Sequence, residues 1–183
     1  MSRDGTAGGA RFDPIRLERR FPELHGLVLL DPARLDALYE HGARGADLLT
    51  RFTQSEDGDR VSREGIAIPM LGLEPAYYTV VVRDVASPGV TQAPRVRSAG
   101  WILETATGRL LLCGLGYLVR WDPDDPRHGR IQVPPGWYRV EILGHVLDAG
   151  GRDEEWLLEL VLEHAGEQPP FAGDVSLQLS LAG

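Results

Sequence analysis

The chain has 183 residues, 43% hydrophobic and 25% charged, the composition of one sizeable globular domain rather than of a disordered segment. Its formal net charge of −8 argues against sequence-general binding to nucleic acid or to an anionic membrane, because both need clustered cations. The single cysteine, Cys113, excludes an intramolecular disulfide and a multi-cysteine metal site, and fits a reducing cytoplasm.

Residues 1–12, rich in Gly, Ala and Arg, read as a disordered tail without the apolar core of a signal peptide. No run approaches the ~18 apolar residues of a membrane helix. Residues 13–183 read as a single β-rich domain whose helical material falls between 15 and 52. Gly26–Leu30 suits a short strand. Asp31 and Pro32 then make a helix start, with Asp as N-cap and Pro at the first helical position. Leu35, Leu38 and Tyr39 share one helical face, Gly42 ends the helix, and residues 46–52 suit a second one, giving a helical segment at 31–52. Residues 54–60 read as an exposed loop.

From residue 61 the pattern changes to strands. Ile66, Ile68 and Met70 alternate, and residues 76–85 are rich in β-branched and aromatic side chains. Val96–Thr105 and residues 109–113 form a hairpin around Ala106, Thr107 and Gly108, and residues 115–121 are expected to continue as a strand. After the polar loop 121–130, two runs flank the turn Pro134-Pro135-Gly136 and are expected to form a β-hairpin with one apolar and one polar face. In the second run Tyr138, Val140, Ile142 and Val146 point one way, while Trp137, Arg139, Glu141, Leu143 and His145 point the other. Residues 148–153 form a glycine-containing turn. Residues 155–164 suit helix or strand by composition, and the alternation of Trp156, Leu158, Leu160 and Leu162 with Glu159 and Glu163 favours a strand. Residues 175–181 alternate and are expected to close the sheet. Together these predict a mainly β fold, an antiparallel β-sandwich or open barrel with a short N-terminal helical segment.

The residues that carry chemistry are few. Cys113 lies among leucines, where a thiol is inert. Gly114-Leu115-Gly116 has no helix after it to receive a phosphate, and no cofactor is expected. Asp122, Asp124, Asp125 and His128 could hold a cation or act as acid/base groups, although Pro123 and Pro126 stiffen the loop and favour a plain turn. His145 and His164 could meet, with Glu141 or Glu163, only if their strands are neighbours. Glu141, Glu159 and Glu163 could form a carboxylate pair, a pattern any acidic sheet shows. The outward set Trp137, Arg139, Glu141 and His145 is the expected binding surface, since tryptophan is enriched where proteins meet.

All nineteen basic residues are Arg and there is no Asn, a usage expected of a GC-rich, bacterial source. The order AIPMLGLEPAYYTVVVRD, SAGWILETATGRLLLCG, RIQVPPGWYRVEILG resembles a group of small bacterial β-sandwich proteins. That group includes a competence-associated nuclease inhibitor and toxin-immunity families. The shared element is a strand, the turn Val133-Pro134-Pro135-Gly136-Trp137-Tyr138-Arg139-Val140, and a second strand. The resemblance implies a fold and no functional residue. With the acidic balance, it leads to an expected function as a non-enzymatic cytoplasmic protein-binding module, an inhibitor or immunity-type partner of a protein with a basic surface. The alternative is an enzyme or ligand binder with its metal or small-molecule site in the 121–130 loop.

Overall fold

The computed structural model describes residues 9–148 and 153–182. Most of the expected tail, and the glycines of the 148–153 turn, lie outside the described residues. In chain order the elements are β1 (Ile15–Arg20), β2 (Gly26–Leu30), α1 (Pro32–Ala37), α2 (Leu48–Gln54), α3 (Asp57–Arg63), β3 (Ala67–Leu71), β4 (Tyr78–Asp84), β5 (Val96–Thr105), β6 (Arg109–Gly114), β7 (Gly129–Gln132), β8 (Gly136–Asp148) and β9 (Glu154–Ala165). A five-stranded sheet, β1-β4-β9-β8-β5, packs on a four-stranded sheet, β3-β2-β6-β7. The fold is mainly β, a sandwich with helices added on one side.

The facing sides of the sheets form the main core from the alternating residues of each strand. Val80, Val82, Tyr138, Val140, Ile142, Leu158, Leu160 and Leu162 meet Leu27, Leu29, Ile68, Met70, Leu110 and Leu112. A second apolar cluster lies on the other side of the four-stranded sheet, where Val28, Leu30, Ala67, Leu111 and Cys113 pack under Leu35, Leu48, Val61, Leu118 and Trp121. This sheet is therefore covered on both faces, and all five residues of β2 are buried. Double coverage is why Leu27–Leu30 and Leu110–Cys113 read as unbroken apolar runs.

Asp31 caps α1 as the sequence predicts, accepting the Ala33 amide at 2.8 Å. The β8–β9 ladder runs from Trp137↔Ala165 to Asp148↔Glu154, so residues 154–165 form a strand rather than a helix.

Seven expectations differ. Neither expected hairpin forms: β5 pairs with β8 in the five-stranded sheet and β6 with β7 in the four-stranded one, so the turns at 106–108 and at Pro134-Pro135-Gly136 each carry the chain from one sheet to the other. Residues 15–20, placed in helical territory, form β1, whose Ile15 and Leu17 lie against the core. Residues 57–63, which span the end of the expected loop 54–60 and the start of the expected strand region, form α3, with Asp57 and Asp59 in its first turn and Arg60 and Arg63 in its last, the order that suits the helix dipole. Residues 115–120 form a 3-10 helix and not a strand. Its three-residue turn puts Leu115 and Leu118 on one side, against the helical cluster. Residues 175–181 form one bridge, Leu71↔Gln178, and otherwise plug the open side of the sandwich with Leu179 and Leu181. Finally, β4 and β9 pair in parallel, so the five-stranded sheet is mixed.

Candidate functional site

The outward side chains of β8 share a face, but most of that face is covered by the chain itself. Trp137 packs against the loop after α3: a Cβ on Gly65 would lie 2.6 Å from its ring. Glu141 pairs with Arg97. Arg139 is exposed, and with Arg97, Glu141, Glu163 and Val85 it lines a shallow groove of about 260 Å³. His145 leaves the expected surface, because it is 1% exposed. Residues 86–95 cross over it, with Gln92 Nε2 donating to the Val146 carbonyl at 3.0 Å and the Arg95 amide donating to that of Gly144 at 2.8 Å.

Under that crossing lies a charged cluster that spacing alone did not signal. Glu159 Oε1 is 2.8 Å from His145 Nε2, and its Oε2 is 2.7 Å from Arg83 Nε, while the Val90 amide donates to the same carboxylate. His164 instead faces Tyr138 across the ladder, so the two histidines do not meet.

The 121–130 loop borders a cleft of about 540 Å³, with walls that include Tyr117, Trp121, Arg120 and His128. Its acids are already partnered. Arg44 holds Asp122 at 2.6 Å and also pairs with Asp124, and Arg127 holds Asp125 at 2.6 Å. The Arg127 side chain and amide hold the Asp125 carboxyl well below the usual carboxylate range. His128 stacks on Trp121 with its Nε2 2.7 Å from the Asp122 carbonyl. The structure thus gathers the four residues of the expected metal site, yet no group of three or more His, Cys, Asp or Glu among the described residues could hold a metal ion. Cys113 is buried, and burial first, then the charges of Glu23 and Asp125, push its thiol up to about 12.

The most exposed apolar cluster lies elsewhere, at the corner where the β1–β2 and β3–β4 connections meet. The two connections are tied by the Leu73 amide donating to the His25 carbonyl at 3.0 Å and by His25 Nδ1 at 3.1 Å from the Leu73 carbonyl. Phe21, Leu24 and Tyr77 stand 38%, 58% and 56% exposed, and the rings of Phe21 and Tyr77 meet edge to face at 5.5 Å. A bulge in β1, between Leu17↔Val80 and Arg20↔Tyr78, carries Arg19 at φ 54°. It re-aims the Arg19 guanidinium over the Tyr77 ring, 4.5 Å from its centroid. Leu24 and His25 also have positive φ, 56° and 60°, a conformation that costs a non-glycine residue about 1 kcal/mol or more. Beside the corner opens a cleft of about 350 Å³ lined in part by Arg19, Arg20, Glu23, Tyr77, Tyr117 and Arg127.

Two solved structures are similar to this one. One is described as crocagin biosynthetic gene J, at 17% identity and a TM-score of 0.45, covering 81% of this chain and 94% of that one. The other is ComJ of Bacillus subtilis, inhibitor of the DNA-degrading activity of NucA, at 10% identity and a TM-score of 0.47, covering 87% and 100%. ComJ is of the nuclease-inhibitor type that the Val133–Val140 turn resembles. No protein-family model and no curated protein matches the chain. No described helix is long and apolar enough to cross a membrane.

The corner was not legible in the sequence. Phe21, Leu24 and Tyr77 each look like ordinary apolar residues near strand ends. The signal that existed was indirect: Phe21-Pro22 and Glu74-Pro75 break two apolar patterns and leave large side chains in the connections.

Proposed function

We propose that the protein is a bacterial, cytoplasmic protein-binding module of the inhibitor or immunity type, which binds neither nucleic acid nor membrane and catalyses no reaction. The observation that carries this reading is the corner of Phe21, Leu24 and Tyr77. Covering a large apolar side chain contributes about 1.5–3 kcal/mol, so three of them on ordered backbone can anchor a partner. Leu24 itself and its neighbours Arg19 and His25 are held in left-handed conformations, and such local strain is retained most often at working surfaces. The β8 face contributes at most its open part, Arg139 and Glu141.

The test is affinity capture from native host extract, run side by side with wild type and a Leu24→Ala/Tyr77→Ala variant. A protein retained by the wild type and lost by the variant, with unchanged thermal melting, is the expected result. Identical retention by both overturns the reading.

The cleft at 121–130 favours a second reading, a small-ligand or metal site, because about 540 Å³ lies within the range of ligand pockets. Asp122, Asp124, Asp125 and His128 would be its working groups. Heat on titration with calcium, manganese or zinc, abolished by Asp124→Ala, would support it. Pairing of the acids with Arg44 and Arg127 predicts no heat.

A further inference from the structure

We infer that the corner takes an acidic segment of the partner protein, with a carboxylate seated at Arg19 and Arg20 and an adjacent apolar side chain laid on Phe21, Leu24 and Tyr77. This rests on the protein-binding reading and adds the chemistry of the occupant.

The charges that line the cleft decide it. Arg19 lies over Tyr77 and has no carboxylate partner among the described residues, so its N–H groups can take an anion. Arg20 spends Nε on the Glu18 carbonyl at 3.0 Å and Nη1 on the Arg127 carbonyl at 3.1 Å, which fixes the side chain and leaves Nη2 free. Arg127 is held by Asp125 and lies over the Tyr117 ring at 4.7 Å. Among the described residues the one acid in the lining, Glu23, has its Oε2 buried without a hydrogen-bond partner against Gly114, whose Cα leaves no room for a Cβ there. An entering group therefore meets the guanidinium N–H donors of Arg19 and Arg20 and aromatic rings, with the Glu23 carboxylate the one opposing charge among the described lining residues. A guanidinium fork matches a carboxylate in shape as well as charge.

The whole-chain charge of −8 points the other way, toward the basic partner expected from composition. Two effects compete, and distance separates them. At physiological salt the Debye length is about 8 Å, so distant acids steer approach while the groups within the cleft set the contact. A partner Lys or Arg seated here would face Arg19 and Arg20 at contact range.

Three synthetic peptides test this. Each carries the same Leu-Phe anchor, flanked by Glu, Lys or Ser, and each is titrated into the full chain by fluorescence anisotropy. The Glu peptide is expected to bind about tenfold or more tighter than the Lys peptide. Arg19→Ala/Arg20→Ala should reduce it to the level of the Ser peptide without changing the Ser peptide's own affinity. Arg19→Lys/Arg20→Lys, which keeps charge but loses the fork, should fall between. Thermal melts of each variant report folding, and the Lys pair serves if the Ala pair melts early. Equal or tighter binding of the Lys peptide, indifference of the Glu peptide to the arginine variants, or binding of no peptide overturns the inference. The protein-binding reading is decided separately by the capture comparison, which does not depend on the partner's charge.

Discussion

His145 and Glu159 meet in the interior, Nε2 to Oε1 at 2.8 Å, on the face of β8 and β9 that the sequence pattern marks as outward. They are diagonal neighbours in the ladder, since Leu143 opposes Glu159 and Leu157 opposes His145. Arg83 from β4 completes the cluster at 12% side-chain exposure, and Gly89 passes so close to it that a Cβ would collide. Residues 86–95 are thus bound to the sheet by charge as well as by backbone bonds. Breaking a buried pair leaves a charge without its counter-ion, which costs far more than the pair contributes. Glu159→Gln should therefore lower unfolding free energy by about 3–5 kcal/mol in urea denaturation. Hydrogen exchange should show residues 86–95 losing protection before the core strands do.

Asp31 does two tasks at once. Its Oδ1 caps α1, and its Oδ2 accepts Thr105 Oγ1 at 2.7 Å and the Ala106 amide at 2.9 Å from the β5–β6 turn. The side chain is fully buried. Removing it uncaps the helix and leaves buried donors in the turn without an acceptor. Asp31→Ala is expected to cost about 2–4 kcal/mol by thermal or urea unfolding. Loss of less than about 1 kcal/mol would show that water replaces the carboxylate.

Glu74 fastens the C-terminal segment. It accepts the Ser180 hydroxyl, the Leu181 amide at 3.0 Å and the Ala182 amide at 3.0 Å. Burial works against ionisation, but these donors outweigh it and hold the carboxyl at about 2, below an ordinary value of 4.5. A depressed carboxylate pKa stabilises the fold above about pH 4.5, and that contribution is lost as pH falls toward 2. Glu74→Gln should therefore weaken the protein at pH 7 and flatten the decline of stability between pH 4.5 and 2. Because the group is partly exposed, the effect should be about 1 kcal/mol, read from urea midpoints across that range. A parallel acid decline in both proteins would assign the sensitivity elsewhere.

Much of the fold was legible because local chemistry and pattern agreed. The alternation of β8 and β9 and the Asp31 cap appear where the residues place them, whereas the chain break at Pro134-Pro135-Gly136 joins two sheets instead of closing a hairpin. The helix α3 was hidden by Ser, Asp and Gly, which suit loops, while its dipole-matched charges went unread. Residues 175–181 show strand alternation without a strand, because alternation records which side chains are buried and not which backbone is paired. Leu179 and Leu181 satisfy that pattern by filling an open side.

The candidate site divides in the same way. Asp122, Asp124, Asp125 and His128 are close in sequence and close in space, but their use by Arg44 depends on a chain segment 78 residues away. His145 looked outward because the period of β8 says so, and only the crossing of residues 86–95 covers it.

By itself, then, the sequence determined strand periodicity, the chain break at Pro134-Pro135-Gly136 and the capped helix. Each of these depends on residues within a few positions of one another. The tertiary structure decided the parallel β4–β9 pair, the doubly covered sheet, the buried Arg83–Glu159–His145 cluster and the exposed corner of Phe21, Leu24 and Tyr77. Those depend on contacts between residues distant in the chain, such as His25 with Leu73, 48 positions apart, and Arg83 with Glu159, 76 apart, for which no local pattern encodes a partner.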